Sequence, residues 1–200
     1  MDRVEGETFD LASYQHEFNR RFERMTDSIS WKFERQQTFR QPSSPSWTAF
    51  SVGDWAEAVR LLEANRPRLT KMFDGLSARG SALHRVRIVE KPISPYLHWE
   101  LHSLRIRAQC GEHIRVAPPD SFRHLEESHP LPEIITIGVD GFFEILYDSD
   151  GILTGGMWVA DRDAVTNWVD HIRSLYDSGE PLLDYFDREI KHLPPPTGQQ

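Results

Sequence analysis

The stretch that most constrains the fold is residues 84–117, where a strand, a capped helix and a second strand follow with little connecting chain. Residues 84–90 (His-Arg-Val-Arg-Ile-Val-Glu) place Arg85 and Arg87 on one side and Val86 and Ile88 on the other, a strand pattern. Ser94 before Pro95 is a helix N-cap with proline at the first helical position. Leu97, Leu101, Leu104 and Ala108 share one stripe of that helix, and Gly111 stands where a C-terminal cap belongs. His113 to Ala117 is the second strand. Such a strand–helix–strand run folds as a βαβ unit with parallel strands.

The flanks supply the rest. After a short helical or irregular piece (residues 119–128), residues 133–139 read as a buried strand. Asp140 and Gly141 form a turn, and residues 142–147 and 152–159 are paired strands joined by the hairpin turn 148–151. Gly155 and Gly156 suggest a bulge in the return strand. Asp161 caps a helix with Ala164 or Val165, then Trp168, Ile172 and Leu175, inward, ended by Gly179, and Leu182, Leu183, Phe186 and Ile190 form a last helix. Towards the N-terminus, Leu11, Tyr14, Phe18, Phe22 and Met25 recur at helical spacing, with residues 1–7 expected to be loose. Residues 29–39 alternate as a strand, with Trp31 and Phe33 opposite Lys32 and Glu34. Residues 41–46 (Gln-Pro-Ser-Ser-Pro-Ser) read as a loop, Ser51 with Asp54 as a capping box, and Pro67 as a break between two helices. The expected fold is α/β: a mixed sheet of about five strands with a βαβ unit and a C-terminal hairpin, plus an N-terminal helical lobe. The lobe with its one strand takes residues 1–80, the α/β core 81–193, and a disordered tail 194–200.

Composition narrows the function classes. A chain of 200 residues, 38% hydrophobic and 27% charged, is an ordinary globular one that needs no metal or disulfide. Its net charge of −8 argues against direct nucleic-acid binding, which relies on a basic face. Cys110 is the single cysteine, which fits a reducing compartment; with no apolar leader and no run of about 18 apolar residues, the expectation is a cytoplasmic protein with no membrane partner.

Ligands of open α/β sheets sit beyond the carboxyl ends of parallel strands. That edge would present Lys91, Ser94 and Tyr96 after the first strand and Asp120 and Ser121 after the second, with Asp140 joining after the third. Such a crevice suits a small polar ligand or a partner's loop. Arg85 and Arg87 could face a phosphate or an acidic partner, or form ion pairs with Glu90, Glu100 or Glu112 on a solvated surface. Tyr96, Trp99 and Glu100 mark a helical contact surface. His98 and His102 stand one turn apart, yet the string matches no zinc-protease pattern and no third ligand is suggested. Cys110 has no base beside it, and there is neither a nucleophile elbow nor a phosphate loop. No metal, cofactor or catalytic set is expected.

Residues 84–119 resemble an actinobacterial family of unknown function. The resemblance rests on Arg85 to Val89, Pro92, the segment from Tyr96 to Leu101, and Gly111 to Val116. Genes of that family lie near helix-turn-helix regulators, which implies a regulatory or partner-binding role. The order βαβ, strand, hairpin, helix is also similar to one half of a phospholipase-D-like fold. No histidine here has lysine two positions on, so that likeness implies an inactive form; His129 lies nearest the expected place but precedes Pro130 and Leu131.

The leading expectation is a non-enzymatic module that senses a small ligand or docks onto a helix-turn-helix regulator. The alternative is an enzyme acting on a phosphorylated or natural-product substrate in the same crevice, with Asp140, Glu100 or His98 in acid–base roles. A third reading, self-association as a homodimer, rests on Trp47 and Trp55 as exposed aromatics.

Overall fold

The structure, a computed structural model, describes residues 5–121, 126 and 131–196. The strands are β1 (Glu7–Asp10), β2 (Ile29–Glu34), β3 (Ala82–Ile88), β4 (His113–Ala117), β5 (Ile134–Ile137), β6 (Gly141–Tyr147), β7 (Leu153–Val159) and β8 (Glu180–Pro181). They form one mixed sheet in the order β1-β7-β6-β5-β2-β3-β4-β8. The helices are α1 (Leu11–Arg24), α2 (Pro45–Ser51), α3 (Trp55–Ala64), α4 (Arg66–Ala78), α5 (Pro95–Gln109), α6 (Arg162–Ser178) and α7 (Leu182–Tyr185), the last continued by a π turn over Phe186–Ile190.

The βαβ unit forms as its sequence dictates. β3 and β4 run parallel, His84 opposite His113 and Ile88 opposite Ala117, with α5 as the crossover. Ser94 Oγ accepts the amide of Leu97 at 3.0 Å and caps α5, and Gly111 takes φ +117° just beyond its end. β2 extends the unit: it pairs parallel to β3, from Ile29 opposite Ala82 to Glu34 opposite Arg87, with α2, α3 and α4 bridging the two. Residues 1–80 thus contribute a central strand and an edge strand to the same sheet as the rest.

The sheet holds eight strands, not about five. The additional ones are short, and pairing defines them. β1 exists through its antiparallel register with β7, Glu7 opposite Trp158 and Asp10 opposite Gly155. β8 is two residues on the outer edge of β4. Asp10 then ends β1 and caps α1 by accepting the Ser13 amide at 2.9 Å. Gly155 and Gly156 serve this junction: a Cβ on Gly155 would lie 2.1 Å from the Phe9 carbonyl oxygen, and one on Gly156 2.6 Å from the Tyr14 ring. The register shift in the β6–β7 hairpin falls instead between Leu146 and Tyr147. The expected 41–46 loop is half a helix start, because Ser44 caps α2 with Pro45 at its first turn. Asp54, not Ser51, caps α3.

The sheet is the middle of three layers. Trp31 and Phe33 of β2, Val86 and Ile88 of β3 and Phe142 of β6 pack beneath Val165, Trp168, Ile172 and Leu175 of α6. On the other face α1 covers β6 and β7 through Tyr14, whose ring meets Phe143 at 5.2 Å. α5 lies over β4 with Leu97, Leu101 and Leu104 against Ile114, Val116 and Phe186. α5 is buried on nearly every side of its first half, from Tyr96 to Leu101.

Candidate functional site

Between α1 and α5, over the middle of the sheet, the strands carry charge where a core would carry hydrocarbon. β2 turns Lys32 and Glu34 to this face, and β3, in parallel register, turns Arg85 and Arg87 beside them. The floor is therefore three cations and one carboxylate on adjacent strands, with Lys32 directly across from Arg85, and like charges so placed are tolerated only with counter-charges supplied. They are supplied. Arg85 donates to Glu34 Oε2 and to Glu112 Oε1, both at 2.6 Å. Lys32 Nζ lies 2.5 Å from Glu34 Oε1, and Arg107 of α5 donates to Glu112 Oε2. Arg87, fully buried, donates to Glu100 Oε2 at 2.8 Å and to the backbone oxygen of Ile88 at 3.0 Å. Tyr96 donates its hydroxyl to Glu100 Oε1 at 3.1 Å and accepts from Gln41 Nε2 at 2.6 Å.

These pairings set the protonation states. Burial raises the Glu34 carboxyl, but Arg85, Lys32 and Arg87 outweigh it and hold Glu34 well below the usual range. Burial likewise raises Glu112, and Arg107 and Arg85 bring it down. At Glu100 burial wins: with Glu34 adding repulsion, the carboxyl stays above its ordinary value despite Arg87. Glu133, just before β5, is pushed up to about 7 by burial and by Glu34. Its Oε1 accepts the amides of Arg35 and Gln36 at 2.7 Å each, while Oε2 is buried with no hydrogen-bond partner among the described residues.

Above the floor is a cavity of about 420 Å3, walled by Tyr14, Phe18 and Phe22 of α1, Met72 of α4, and Trp99 and Leu104 of α5. A second cavity of about 290 Å3 shares Lys32, Glu34, Gln41, Glu100, Tyr147 and Leu153 with it and opens beside Arg40, Pro42 and Ser43. Together they form a cleft of the size that holds small molecules, with a charged floor under largely apolar walls.

The expected site residues are divided among three places. Lys91 and Asp120 do meet at the carboxyl ends of β3 and β4, in a separate crevice of about 530 Å3 that also takes in Glu180, Arg188 and Glu189. Lys91 is ion-paired there with Glu189 at 2.7 Å. Arg85, Trp99 and Glu100 line the central cleft; Tyr96 borders its second chamber and Arg87 lies behind. These five face inward, so they offer no outer contact surface: Tyr96 and Arg87 are 0% exposed and Trp99 3%, its indole nitrogen donating to Ser46 Oγ. The expected ion pairs of Arg85 and Arg87 with Glu112 and Glu100 form, but inside the protein instead of on a solvated surface. Ser94 is occupied as the α5 cap and as donor to the Gln37 carbonyl at 2.8 Å. Asp140 cannot join the crevice, because β5 runs antiparallel to β2 and delivers it to the opposite end of the sheet, near Ser28.

His98 and His102 pack against the Trp55 ring. Among the described residues no group of three or more potential ligands could hold a metal ion. Trp47 is buried and Trp55 half-buried, so neither is the exposed aromatic that self-association would use. His129 lies outside the described residues.

Lys32, Glu34, Gln41, Arg107 and Tyr147 were not expected in a site. The signal for the first two is in the sequence: charges alternate with Trp31 and Phe33 in a strand whose neighbour alternates Arg85 and Arg87 with Val86 and Ile88. Pairing the two strands in parallel stacks the charges on one face.

The fold and cleft define a three-layer α/β protein with a charged, ligand-sized hollow over the middle of one mixed sheet. No helix among the described residues is long and apolar enough to cross a membrane. The chain belongs to the family described as "Domain of unknown function (DUF6879)", whose sequence profile matches residues 16–187 and so includes the whole floor of the cleft. Among curated proteins no significant match is found.

Proposed function

We propose that this protein is a small-ligand-binding module that works without turning its ligand over, and that the ligand sits in the cleft between α1 and α5. One observation carries the reading: a cavity of ligand size whose floor is a network of buried charges. Buried ion pairs seldom repay their desolvation in stability, so a fold that keeps this many at a cavity wall gains specificity from them. The resemblance to a family encoded beside helix-turn-helix regulators supports a regulatory setting in the cytoplasm, with such a regulator as recipient of the binding signal.

The test is a thermal-shift screen with a defined panel of purified metabolites, on the wild type and on Ser103→Trp, which fills the cleft from α5. Stabilisation of the wild type by at least one compound, absent in the variant, is the expected result. Hits that stabilise both proteins equally would place binding elsewhere and defeat the reading.

An enzyme is the second reading, favoured by the raised Glu100 carboxyl within reach of the Tyr96 hydroxyl, a pair suited to delivering a proton. Glu100→Gln separates the two: it abolishes turnover in an enzyme, whereas a binding module releases its hit unchanged in either form.

A further inference from the structure

We infer that the ligand of the central cleft is an organic anion, a carboxylate or phosphate ester carried on an apolar body about the size of one aromatic ring. The inference rests on reading the cleft as a binding site and adds what kind of molecule occupies it. Its basis is the order of charges along the floor. Lys32, Glu34, Arg85, Glu112 and Arg107 form one row, each carboxylate shared between two cations. Positive and negative alternate, so the row ends in a cation on both sides and carries one excess positive charge.

The two end cations are also the ones that solvent reaches. The side chains of Lys32 and Arg107 are 23% and 22% exposed, against 6% for Arg85 between them. Each end cation lines the cavity and holds a single carboxylate that Arg85 also neutralises, which leaves it donor capacity to spare. Arg87 and Glu100 cancel each other behind and beside the row, and Arg68 adds a further cation at the rim. The local excess is the reverse of the whole chain's net charge of −8. Low-dielectric walls focus such a potential into the cavity and favour an anion there. Much of the remaining wall is apolar, with Phe18, Phe22, Met72 and Leu104 lining the same space, so the anion needs a hydrocarbon part to cover them.

Titration calorimetry at neutral pH with four probes of one shape tests this: 3-phenylpropionate, phenyl phosphate, 3-phenylpropionamide and 3-phenylpropylamine. The carboxylate, the phosphate or both bind, and whichever is tighter identifies the head group; the amide and amine bind at least about tenfold more weakly. Lys32→Met lowers anion affinity by about tenfold or more while the far-ultraviolet spectrum is kept; should that variant not fold, Arg107→Gln replaces it. An amide or amine that binds as well as the acids overturns the anion while leaving the cleft a binding site. Undiminished affinity in a folded Lys32→Met protein overturns it too. Silence of all four probes at millimolar concentration counts against both the anion and the cleft.

Discussion

Arg87 has no contact with solvent yet keeps its charge, because Glu100 pairs with its guanidinium and the backbone carbonyls of Glu34 and Ile88 accept from Nη1. Removing one member of such a pair strands the other in low dielectric, which costs about 3–5 kcal/mol. Arg87→Met is therefore expected to lose that much stability in urea denaturation, and the double change Arg87→Met with Glu100→Gln to recover part of it. Glu133 gives a second test at this scale. Its carboxyl titrates near 7 in the folded protein against an ordinary 4.5, so between those values the native state holds a proton that the unfolded chain has released. Stability supplied by the neutral form is complete below pH 4.5 and is lost as pH rises through 7. Glu133→Gln, which stays neutral and can still accept both amides, should gain on the wild type across that window by up to about 3 kcal/mol. A constant difference from pH 5 to pH 8 would show that Glu133 is ionised throughout. None of these charges announced its burial: Arg85 and Arg87 read equally well as a solvated strand face, because one strand's alternation does not say which neighbour lies across from it.

At the scale of elements, the parts with complete local signals form where the sequence places them. α5 has its cap, its proline and its terminal glycine in sequence, and its two strands alternate. Ser94 does double duty, accepting from Leu97 and donating to the Gln37 carbonyl, which ties α5 to the segment leading to Gln41 in the cleft mouth. Ser94→Ala should cost about 1–2 kcal/mol, and Ser94→Asp, which keeps the cap but gives up the donor, should fall between; equal losses in the two variants would mean that the bond to Gln37 contributes nothing. Tyr96 and Trp99 lie off the leucine stripe, and their presence there is itself a sign of a helix enclosed on more than one side. β1 and β8 were not legible, because strands of four and two residues carry almost no periodicity and Thr8 precedes a helical repeat. Asp140 was misplaced for a related reason: the direction of β5 is set by its pairing with β2, not by its own residues.

At the scale of the molecule, the parallel strands β2, β3 and β4 put a polar floor under a gap that α1 and α5 leave open, and the charges of Lys32, Glu34 and Arg85 converge on it from two of those strands. The strand-end crevice lined by Lys91 and Asp120 is the competing location for a ligand. The deciding measurement is a nitrogen-15 chemical-shift titration of the assigned protein with 3-phenylpropionate or with the strongest hit of the thermal screen. Shifts concentrated at Lys32, Gln41, Ser103, Tyr147 and Leu153, with Val89, Lys91 and Asp120 unmoved, are the predicted outcome; shifts confined to the strand-end residues, with the cleft silent, would contradict it.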